Sequence, residues 1–246
     1  MSALQRLDVA LVARGLVPSR ERAQAAIAAG LVRVNGRPAA RPAQRVAAVD
    51  SLEVLGDPVG YVGRGGRKLA AALDHWQVDP TGLTCLDVGA STGGFTDCLL
   101  GRGARRVYAV DVGHGQLDRT LAADPRVVNL EGTDVRRLAA LPEPIDLAVV
   151  DVAFISLTLV LPDVRRLLRL GGRLLALVKP QFEVGRAGVG KGGVVRDPVL
   201  RGQALAKVQA AAAALGFCGD AAIESPIAGG DGNREWLLYL TLPLSS

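Results

Sequence analysis

The chain is poor in cysteine, and the three it has are far apart in sequence. They stand at positions 85, 98 and 218 of 246 residues. This spacing matches neither a disulfide framework nor the paired ligands of a structural zinc site. We therefore expect reduced thiols in packed surroundings and no bound metal.

Long apolar runs are also missing, although 49% of the residues are hydrophobic. No uninterrupted stretch approaches the ~20 apolar residues that a membrane-spanning helix needs. Residues 1–6 lack the apolar core of a secretion signal. The sequence predicts a globular, cytoplasmic protein that is long enough for one large domain and a small one.

Lysine is scarce, because 25 of the 29 basic residues are arginine. The four lysines are Lys68, Lys179, Lys191 and Lys207. Lys179 follows the apolar run 174–178 and precedes Pro180, which places an amine at the carboxyl end of a predicted strand. Ligands of open α/β sheets bind at such ends, and burial can shift the pKa of lysine but not usefully that of arginine. The alternative is a strand-end cation that only reaches for solvent.

Apolar runs alternate with helix-like segments after residue 60. The predicted strands are 84–88, 107–110, 127–130, 147–150 and 174–178, with a final strand over 235–240. This alternation indicates a doubly wound, Rossmann-like α/β domain with a mostly parallel sheet. No helix follows the last strand, which we expect to be antiparallel and at or near the edge.

A small α+β unit is predicted before this domain. Residues 3–15 have the apolar spacing of a helix, and Ser19 is placed to cap a second helix that ends near Gly30. A strand over 31–37 enters an Asn-Gly turn, and 52–55 are extended. Eight arginines against five acids make residues 1–60 net positive. We predict that the small unit spans residues 1–57, the linker residues 58–66 and the large domain residues 67–246.

The first strand of the large domain leads into a glycine-rich turn of the form Asp-x-Gly-x-x-x-Gly. The turn comprises Asp87, Gly89, Ala90, Ser91, Thr92, Gly93, Gly94 and Phe95. It lacks the G-x-G-x-x-G pattern that brings a pyrophosphate to a helix N-terminus. An acid before the turn suits a cationic ligand with an amino group, such as S-adenosylmethionine. Asp111, at the second strand end, could accept ribose hydroxyls and Asp134 the adenine amino group, although both could equally be turn or cap residues.

Four residues of the predicted domain form a Lys-Asp-Lys-Glu series. Asp151 ends the fourth strand, one strand before Lys179, so both side chains should leave the same edge of the sheet. Lys68 stands at the start of the domain and Glu235 at the last strand. In this order they resemble the tetrad of FtsJ-like ribose 2′-O-methyltransferases.

The resemblance runs nearly end to end and includes the segments 64–66, 111–113 and 178–183. With these the chain resembles the TlyA family (haemolysin-A-like) of rRNA methyltransferases, and residues 6–36 are similar to the small RNA-binding module of a ribosomal protein and pseudouridine synthases. The resemblance implies S-adenosylmethionine as cofactor, with Val112 and Asp151 added to its binding residues. It implies methylation of a cytidine ribose in rRNA. The chain resembles the shorter members of the family, which modify the large subunit.

The chemistry of that reaction suits lysine and carboxylate side chains. A ribose hydroxyl is a weak nucleophile that must lose its proton as the methyl group arrives in line. Lys179 would lower the hydroxyl's pKa, or accept its proton if burial and Lys68 depress the lysine's own pKa. Asp151 and Glu235 would hold the two amines, but their charges oppose that depression, which leaves the protonation state open.

The expected RNA contacts are basic residues of both parts of the chain. They are Arg6, Arg14, Arg20, Arg22, Arg33, Arg37, Arg64, Arg67, Arg186 and Lys191. Aromatic residues make up only 4% of the chain, so we expect recognition of RNA shape and phosphates rather than base stacking. The last two lie in a glycine-rich loop, 184–193, that would close over RNA as a lid. The alternatives are an ordinary solvated arginine face and a surface loop.

These observations limit the partners and the functions that the sequence allows. We expect rRNA or a ribosomal subunit as partner, with no membrane and no obligate protein partner indicated. Three rivals stay open: a membrane-active protein, suggested by the haemolysin name; a non-catalytic RNA-binding or ribosome-assembly factor; and a methyltransferase acting on a base or protein. Residues 151–154, Asp-Val-Ala-Phe, differ from the Asn-Pro-Pro-Tyr/Phe motif common in base methylation, which favours the ribose.

Overall fold

The computed structural model describes residues 4–17, 20–28, 30–55 and 61–244. The chain divides into two compact units, 1–60 and 61–246. The linker predicted over 58–66 therefore overlaps the second unit, because a helix of that unit already begins at Gly65.

The first unit combines two helices with short strands around a small apolar core. Its elements are β1 (Gln5–Arg6), α1 (Leu7–Ala13), α2 (Arg20–Ala28), β2 (Val32–Val34), β3 (Arg37–Pro38), β4 (Arg45–Val46) and β5 (Leu52–Val54). Strand β1 pairs with β4, and β2 lies between β3 and β5. The helix predicted from residue 3 is wrong at its start, since residues 5 and 6 hydrogen-bond to β4 as a strand. Neither short strand has enough residues to show an alternating pattern.

The Asn-Gly hairpin predicted in this unit is confirmed. Asn35 and Gly36 have φ values of 51° and 75°. A two-residue hairpin turn of type I′ needs such positive φ values at both of its central residues. The turn joins β2 to β3. Ser19, predicted to cap the second helix, lies outside the described residues.

The second unit is a seven-stranded sheet with helices on both faces. Its elements are α3 (Gly65–His75), β6 (Thr84–Val88), α4 (Gly94–Gly101), β7 (Arg106–Asp111), α5 (Arg119–Ala122), β8 (Val127–Glu131), β9 (Ile145–Val150), α6 (Leu161–Leu167), β10 (Leu168–Val178), α7 (Pro180–Glu183), α8 (Pro198–Ala214), β11 (Cys218–Glu224) and β12 (Trp236–Thr241). The strand order is β11-β12-β10-β9-β6-β7-β8. The five strands β6 to β10 run parallel, whereas β12 and β11 are antiparallel additions. The doubly wound prediction is thus confirmed.

Four of the five parallel strands were predicted within two residues at each end, whereas β10 begins six residues earlier than predicted and one edge strand was missed. The last strand lies next to the edge, between β10 and β11. Strand β11 has the sequence Cys-Gly-Asp-Ala-Ala-Ile-Glu, which lacks both a continuous apolar run and clean alternation. Cys218 begins it and is exposed, so the expectation of packed thiols is wrong for this cysteine.

The strand side chains alternate between two apolar cores. On β6, Leu86 and Val88 pack with the core that includes α6 and α8, while Cys85 packs with the core that includes α3 and α4. The chain order reverses between β6 and β9, so the helices that follow them lie on opposite faces. A crevice opens at such a reversal, outside the carboxyl ends of the strands.

Candidate active site

The loop after β6 is shaped by glycines that no other residue could replace without strain. Gly89 has φ +85°, and a Cβ added there would lie 2.5 Å from the carbonyl oxygen of Asp151. Gly93 has φ +97° and directly precedes α4. These two positions let the loop pass close to the end of β9 before the helix begins.

A cavity of about 200 Å³ lies against this loop. It is lined by Gly63, Arg64, Gly65, Gly89, Ala90, Ser91, Thr92, Gly94, Phe95 and Asp151. Six of these belong to the predicted glycine-rich turn and one to the predicted tetrad. The cavity therefore brings six predicted cofactor residues next to Asp151, the one residue of the predicted tetrad in its lining.

Asp87 is fully buried at the end of β6 and is not among the lining residues. Its Oδ2 accepts a hydrogen bond of 2.7 Å from Thr96 Oγ1, and its Oδ1 has no hydrogen-bond partner. Burial raises the pKa of this carboxyl to about 7, and the charge of Asp151 adds to the effect while the Thr96 bond opposes it.

Asp111 is held firmly at the end of β7. Its two carboxylate oxygens accept the backbone N–H groups of Ser91, at 2.8 Å, and Gly113, at 2.7 Å. The neighbouring Val112 is 70% exposed. The carboxylate is thereby fixed beside the glycine-rich turn, with lone pairs left for hydroxyl groups.

Asp134 has a local partner that the sequence did not reveal. Its carboxylate caps a short 3₁₀ turn and binds the Arg136 guanidinium, with Oδ2 at 2.6 Å from Nη2. This contact holds the pKa of Asp134 below its usual value. Its role toward an adenine amino group stays a prediction.

The four residues of the predicted tetrad form two lysine–carboxylate pairs. Lys179 Nζ lies 2.7 Å from Asp151 Oδ1 and forms an ion pair with it. Lys68, on α3, donates a short hydrogen bond to Glu235. The first pair is partly open to solvent, with side chains 15% and 20% exposed, whereas the second is buried at 8% and 2%.

The two pairs also act on each other. Burial raises the pKa of Glu235, and the hydrogen bond from Lys68 and the charges of Lys68 and Lys179 oppose that rise. The Asp151 carboxylate adds to it. Such mutual effects place all four charges in one cluster at the carboxyl edge of the sheet.

The glycine-rich loop after α7 is built into the domain. Residues 186–188 form a 3₁₀ turn, Gly192 and Gly193 have left-handed backbone angles, and the fully buried Asn233 binds the loop from the segment before β12. Its Nδ2 donates to Gly193 O and its Oδ1 accepts from Val195 N, both at 2.9 Å. Arg186 and Lys191 are exposed on this loop, and Asn233 is two residues from Glu235.

The arginines predicted to bind RNA fall into two groups. Arg33 and Arg37 in the first unit, and Arg67 in the second, are exposed. Others have partners within their own unit: Arg6 and Arg20 pair with buried Asp8, Arg14 donates to the carbonyls of residues 47, 48 and 50, and Arg64 donates to Ala228 O. The side chain of Arg22 lies outside the described residues.

Three organising residues escaped the sequence prediction. Glu131 accepts the backbone N–H groups of Gln116 and Leu117 and so shapes the loop after β7. Glu183 and Asn233 are buried polar residues that join loops distant in sequence. Glu183 lies in the segment 178–183, one of those on which the family resemblance rested. The resemblance indicated that the segment matters but did not indicate which residues Glu183 contacts.

Comparison with known proteins places these features in a family. A model of the FtsJ-like methyltransferase family matches residues 61–242, which include the whole tetrad. The chain belongs to the FtsJ-like methyltransferases. An S4 domain model matches residues 5–51, so this methyltransferase carries an N-terminal S4 domain.

Individual relatives match over nearly the full chain. The 16S/23S rRNA (cytidine-2′-O)-methyltransferase TlyA of Mycobacterium tuberculosis is 46% identical over 98% of this chain and 91% of its own. Hemolysin A of Brachyspira hyodysenteriae is 40% identical over 96% of this chain and all of its own. A solved structure from Streptococcus thermophilus is 40% identical, with a TM-score of 0.73 over 99% of this chain and 90% of the other.

Proposed function

We propose that this FtsJ-like methyltransferase transfers a methyl group from S-adenosylmethionine to the ribose 2′-hydroxyl of a cytidine in rRNA of the large ribosomal subunit. The observation that carries the proposal is the pair of lysine–carboxylate contacts beside the glycine-lined cavity. The names of TlyA relatives supply the substrate class, since both the 16S/23S and the 23S enzymes act on cytidine 2′-O positions. The cytoplasm, where ribosomes are, is the proposed location.

The residues around the cavity fit S-adenosylmethionine. A loop whose glycines exclude any Cβ lets the backbone approach a ligand closely. Asp87 lies buried behind that loop with an unpartnered oxygen, and a cationic ligand there would lower its raised pKa and favour its ionised form. Asp111 would accept the ribose hydroxyls, and Val112 would pack against the adenine. In the same proposal Asp134 would accept the adenine amino group through lone pairs that Arg136 leaves open.

Lys179 is the proposed catalytic residue at the substrate hydroxyl. S-adenosylmethionine, when bound, supplies an electrophilic methyl group. The Lys179 ammonium would hydrogen-bond the ribose 2′-oxygen and stabilise the negative charge that develops as the hydroxyl proton passes to solvent water, which reaches this partly open pair. A positive charge placed there lowers the pKa of the hydroxyl and aims its lone pair.

The other three residues of the tetrad would keep that ammonium in place. Asp151, 2.7 Å from Lys179 Nζ, limits the directions in which the amine can point. Lys68 and Glu235 form a buried ion pair that adds no net charge. The pair holds α3 to the segment directly before β12. We therefore assign Lys179 the direct role and the remaining three supporting roles.

The exposed cations would hold the RNA by its phosphates. Arg33 and Arg37 lie on neighbouring strands of the S4 domain, and Arg186 and Lys191 lie on the loop beside the tetrad. Phosphate contacts fix position and orientation without reading sequence. Selection of one cytidine would then depend on RNA shape.

The test is transfer of tritium from labelled S-adenosylmethionine to isolated rRNA and to purified ribosomal subunits. We expect wild-type protein to label large-subunit RNA and Lys179→Ala to lose at least 100-fold in rate, in line with removal of a preorganised electrostatic group. Cofactor binding, measured by calorimetry, should be kept in the variant. Binding of cofactor without labelling of any ribosomal substrate would reject ribose methylation and favour a non-catalytic RNA-binding factor.

A further inference from the structure

Glu183 is a buried carboxylate that joins three segments next to the tetrad. Its side chain is 1% exposed at the end of α7, the short helix that begins directly after Lys179. Ser156 Oγ donates to Oε2 at 2.5 Å and Leu157 N donates to Oε1 at 2.8 Å. The carboxylate thus ties α7 to the segment that leaves β9 after Asp151.

That segment has a backbone conformation that needs support. Phe154 lies midway between Asp151 and Leu157, with φ +64°, which is uncommon for a bulky side chain, and it is 92% exposed. Strained backbone of this kind persists only where surrounding contacts hold it. The segment is held at one end by Asp151 N, which donates to Val88 O at 2.9 Å, and at the other by Glu183.

The supported segment forms one side of a large surface cavity. The cavity measures about 550 Å³ and is lined by residues 154–156 on one side and by Gln181, Phe182, Gly185, Arg186 and Val189 on the other. The rings of Phe154 and Phe182 are tilted at 55° to each other, with centroids 5.4 Å apart. The two sides belong to the two loops that carry Asp151 and Lys179, so their spacing depends on the bond between those loops.

Lys207 completes the arrangement from α8. Its Nζ donates to Glu183 O at 2.9 Å and to Glu183 Oε2 at 3.2 Å. A compact ammonium with three donors can serve a carbonyl and a carboxylate of one residue together. This contact gives a reason for lysine at position 207 in a chain that otherwise prefers arginine.

We propose that Glu183 and Lys207 are positioning residues for the RNA substrate, and that they hold the two sides of this cavity at the separation that RNA binds. The inference deepens the proposed function and rests on it. Neither residue needs to touch RNA. Asp151 keeps its own backbone hydrogen bond to β6. Loss of the contact between Glu183 and Lys207 should therefore disturb the cavity more than it disturbs the ion pair of Lys179 with Asp151.

The test separates RNA affinity from catalysis. For Lys207→Met and Glu183→Gln we expect the KM for RNA and its Kd by filter binding to rise about tenfold, the effect of losing one charged hydrogen bond. The kcat and the Kd for S-adenosylmethionine should stay within about twofold, because neither residue lies in the cofactor cavity. Lys207→Arg should recover part of the affinity.

Asp163→Asn is the matched control, since Asp163 forms an ion pair with Arg166 on α6 and lines neither cavity. Its RNA affinity should equal that of wild type. Should Glu183→Gln fold poorly, Ser156→Ala removes one bond to the same carboxylate and is expected to act in the same direction.

Three results would overturn the positioning role: unchanged RNA affinity in folded variants, a fall in kcat at constant KM, or an equal loss in the Asp163 control. Inactive wild-type protein that still binds RNA would reject the proposed function instead. In that case filter binding alone decides whether the pair controls RNA affinity.

Discussion

At the scale of single residues, the two lysines of the tetrad lie in different surroundings although their chemistry is the same. Lys68 and Glu235 are almost fully buried, and each is the charge partner of the other. Lys179 and Asp151 are partly open to solvent beside the cavity. Because Lys68 and Glu235 are buried, we expect this pair to matter more for stability. Because Lys179 and Asp151 lie beside the cavity, we expect them to matter more for catalysis.

The first prediction compares Glu235→Ala with Lys179→Ala. Loss of Glu235 leaves a buried ammonium without its partner and should lower the free energy of unfolding by about 3 kcal/mol. Loss of Lys179, in the pair that is partly open to solvent, should lower the free energy of unfolding less than loss of Glu235 does, while it removes activity. Urea denaturation of both variants measures the difference.

The double variant Lys68→Met/Glu235→Leu is the control for this comparison. Because it removes both charges, it should regain most of the stability that Glu235→Ala loses. Equal stability of all three variants would contradict the assignment of a mainly structural role to the buried pair.

The second prediction concerns Asp87 and pH. Its folded-state pKa of about 7 lies above the unfolded value of 3.8, so the folded protein binds the extra proton between those values. Stability should therefore fall as pH rises from about 4 to 7 and should level off above it. Asp87→Asn cannot ionise and should lose less Tm than wild type between pH 5 and pH 8, as measured by calorimetry at several pH values. Parallel pH profiles for the two proteins would show that Asp87 does not titrate in this range.

At the scale of elements, the glycine-rich loop shows how one buried amide can organise a segment without regular structure. The sequence predicts either a lid or a plain surface loop, and the structure contains one 3₁₀ turn and a glycine turn that is joined to Asn233. The bonds come from a residue some 40 positions away. The loop is thereby connected to the segment that carries Glu235.

The third prediction is that Asn233→Ala releases this loop. Amide hydrogen exchange should speed up over residues 186–195, because Val195 N loses its acceptor and Gly193 O loses its donor. Exchange in β6 and α4 should stay as in wild type. Arg234→Ala, which removes only an exposed pair with Glu224, is the neighbouring control and should leave the loop unchanged. Slow exchange of the loop in Asn233→Ala would mean that other contacts hold it.

At the scale of the whole molecule, the chain joins an S4 domain to a methyltransferase domain, and both carry exposed cations. Each unit has its own core and its own predicted task. The net charge of +5 is shared by the two parts and favours a polyanionic partner.

The fourth prediction separates RNA binding from cofactor binding. Arg33→Glu/Arg37→Glu should weaken RNA binding and make the dependence of log Kd on log salt shallower by about one unit per lost phosphate contact. Affinity for S-adenosylmethionine, measured by calorimetry, should not change. The control is Arg126→Glu, which reverses the charge of an arginine in the methyltransferase unit, where Arg126 pairs with Asp124 of the same unit. An unchanged salt dependence would remove these two arginines from the RNA interface.

Prediction from sequence worked best where a pattern is local. The run 84–88 is mostly apolar and the turn 89–94 is rich in glycine, so strand β6 and the start of α4 follow from the sequence alone. Strand ends also place Asp111, Asp151 and Lys179 at one edge of the sheet, because parallel strands share that edge.

The rest depended on contacts between distant residues. The pairings of Lys68 with Glu235 and of Glu183 with Lys207 arise from packing of α3 and α8, which no short pattern encodes. Asp134 shows the converse case, in which a local arginine two residues away takes the carboxylate. An isolated acid or amide has no periodicity, so its partner emerges only with the fold.

The most direct test of the account is to locate the methyl group on the product. Large-subunit RNA treated with wild-type protein and S-adenosylmethionine would be digested to nucleosides and analysed by mass spectrometry, with Lys179→Ala in parallel. We predict 2′-O-methylcytidine in the wild-type sample and its loss in the variant. A methyl group on a base, or equal product from Lys179→Ala, would contradict it.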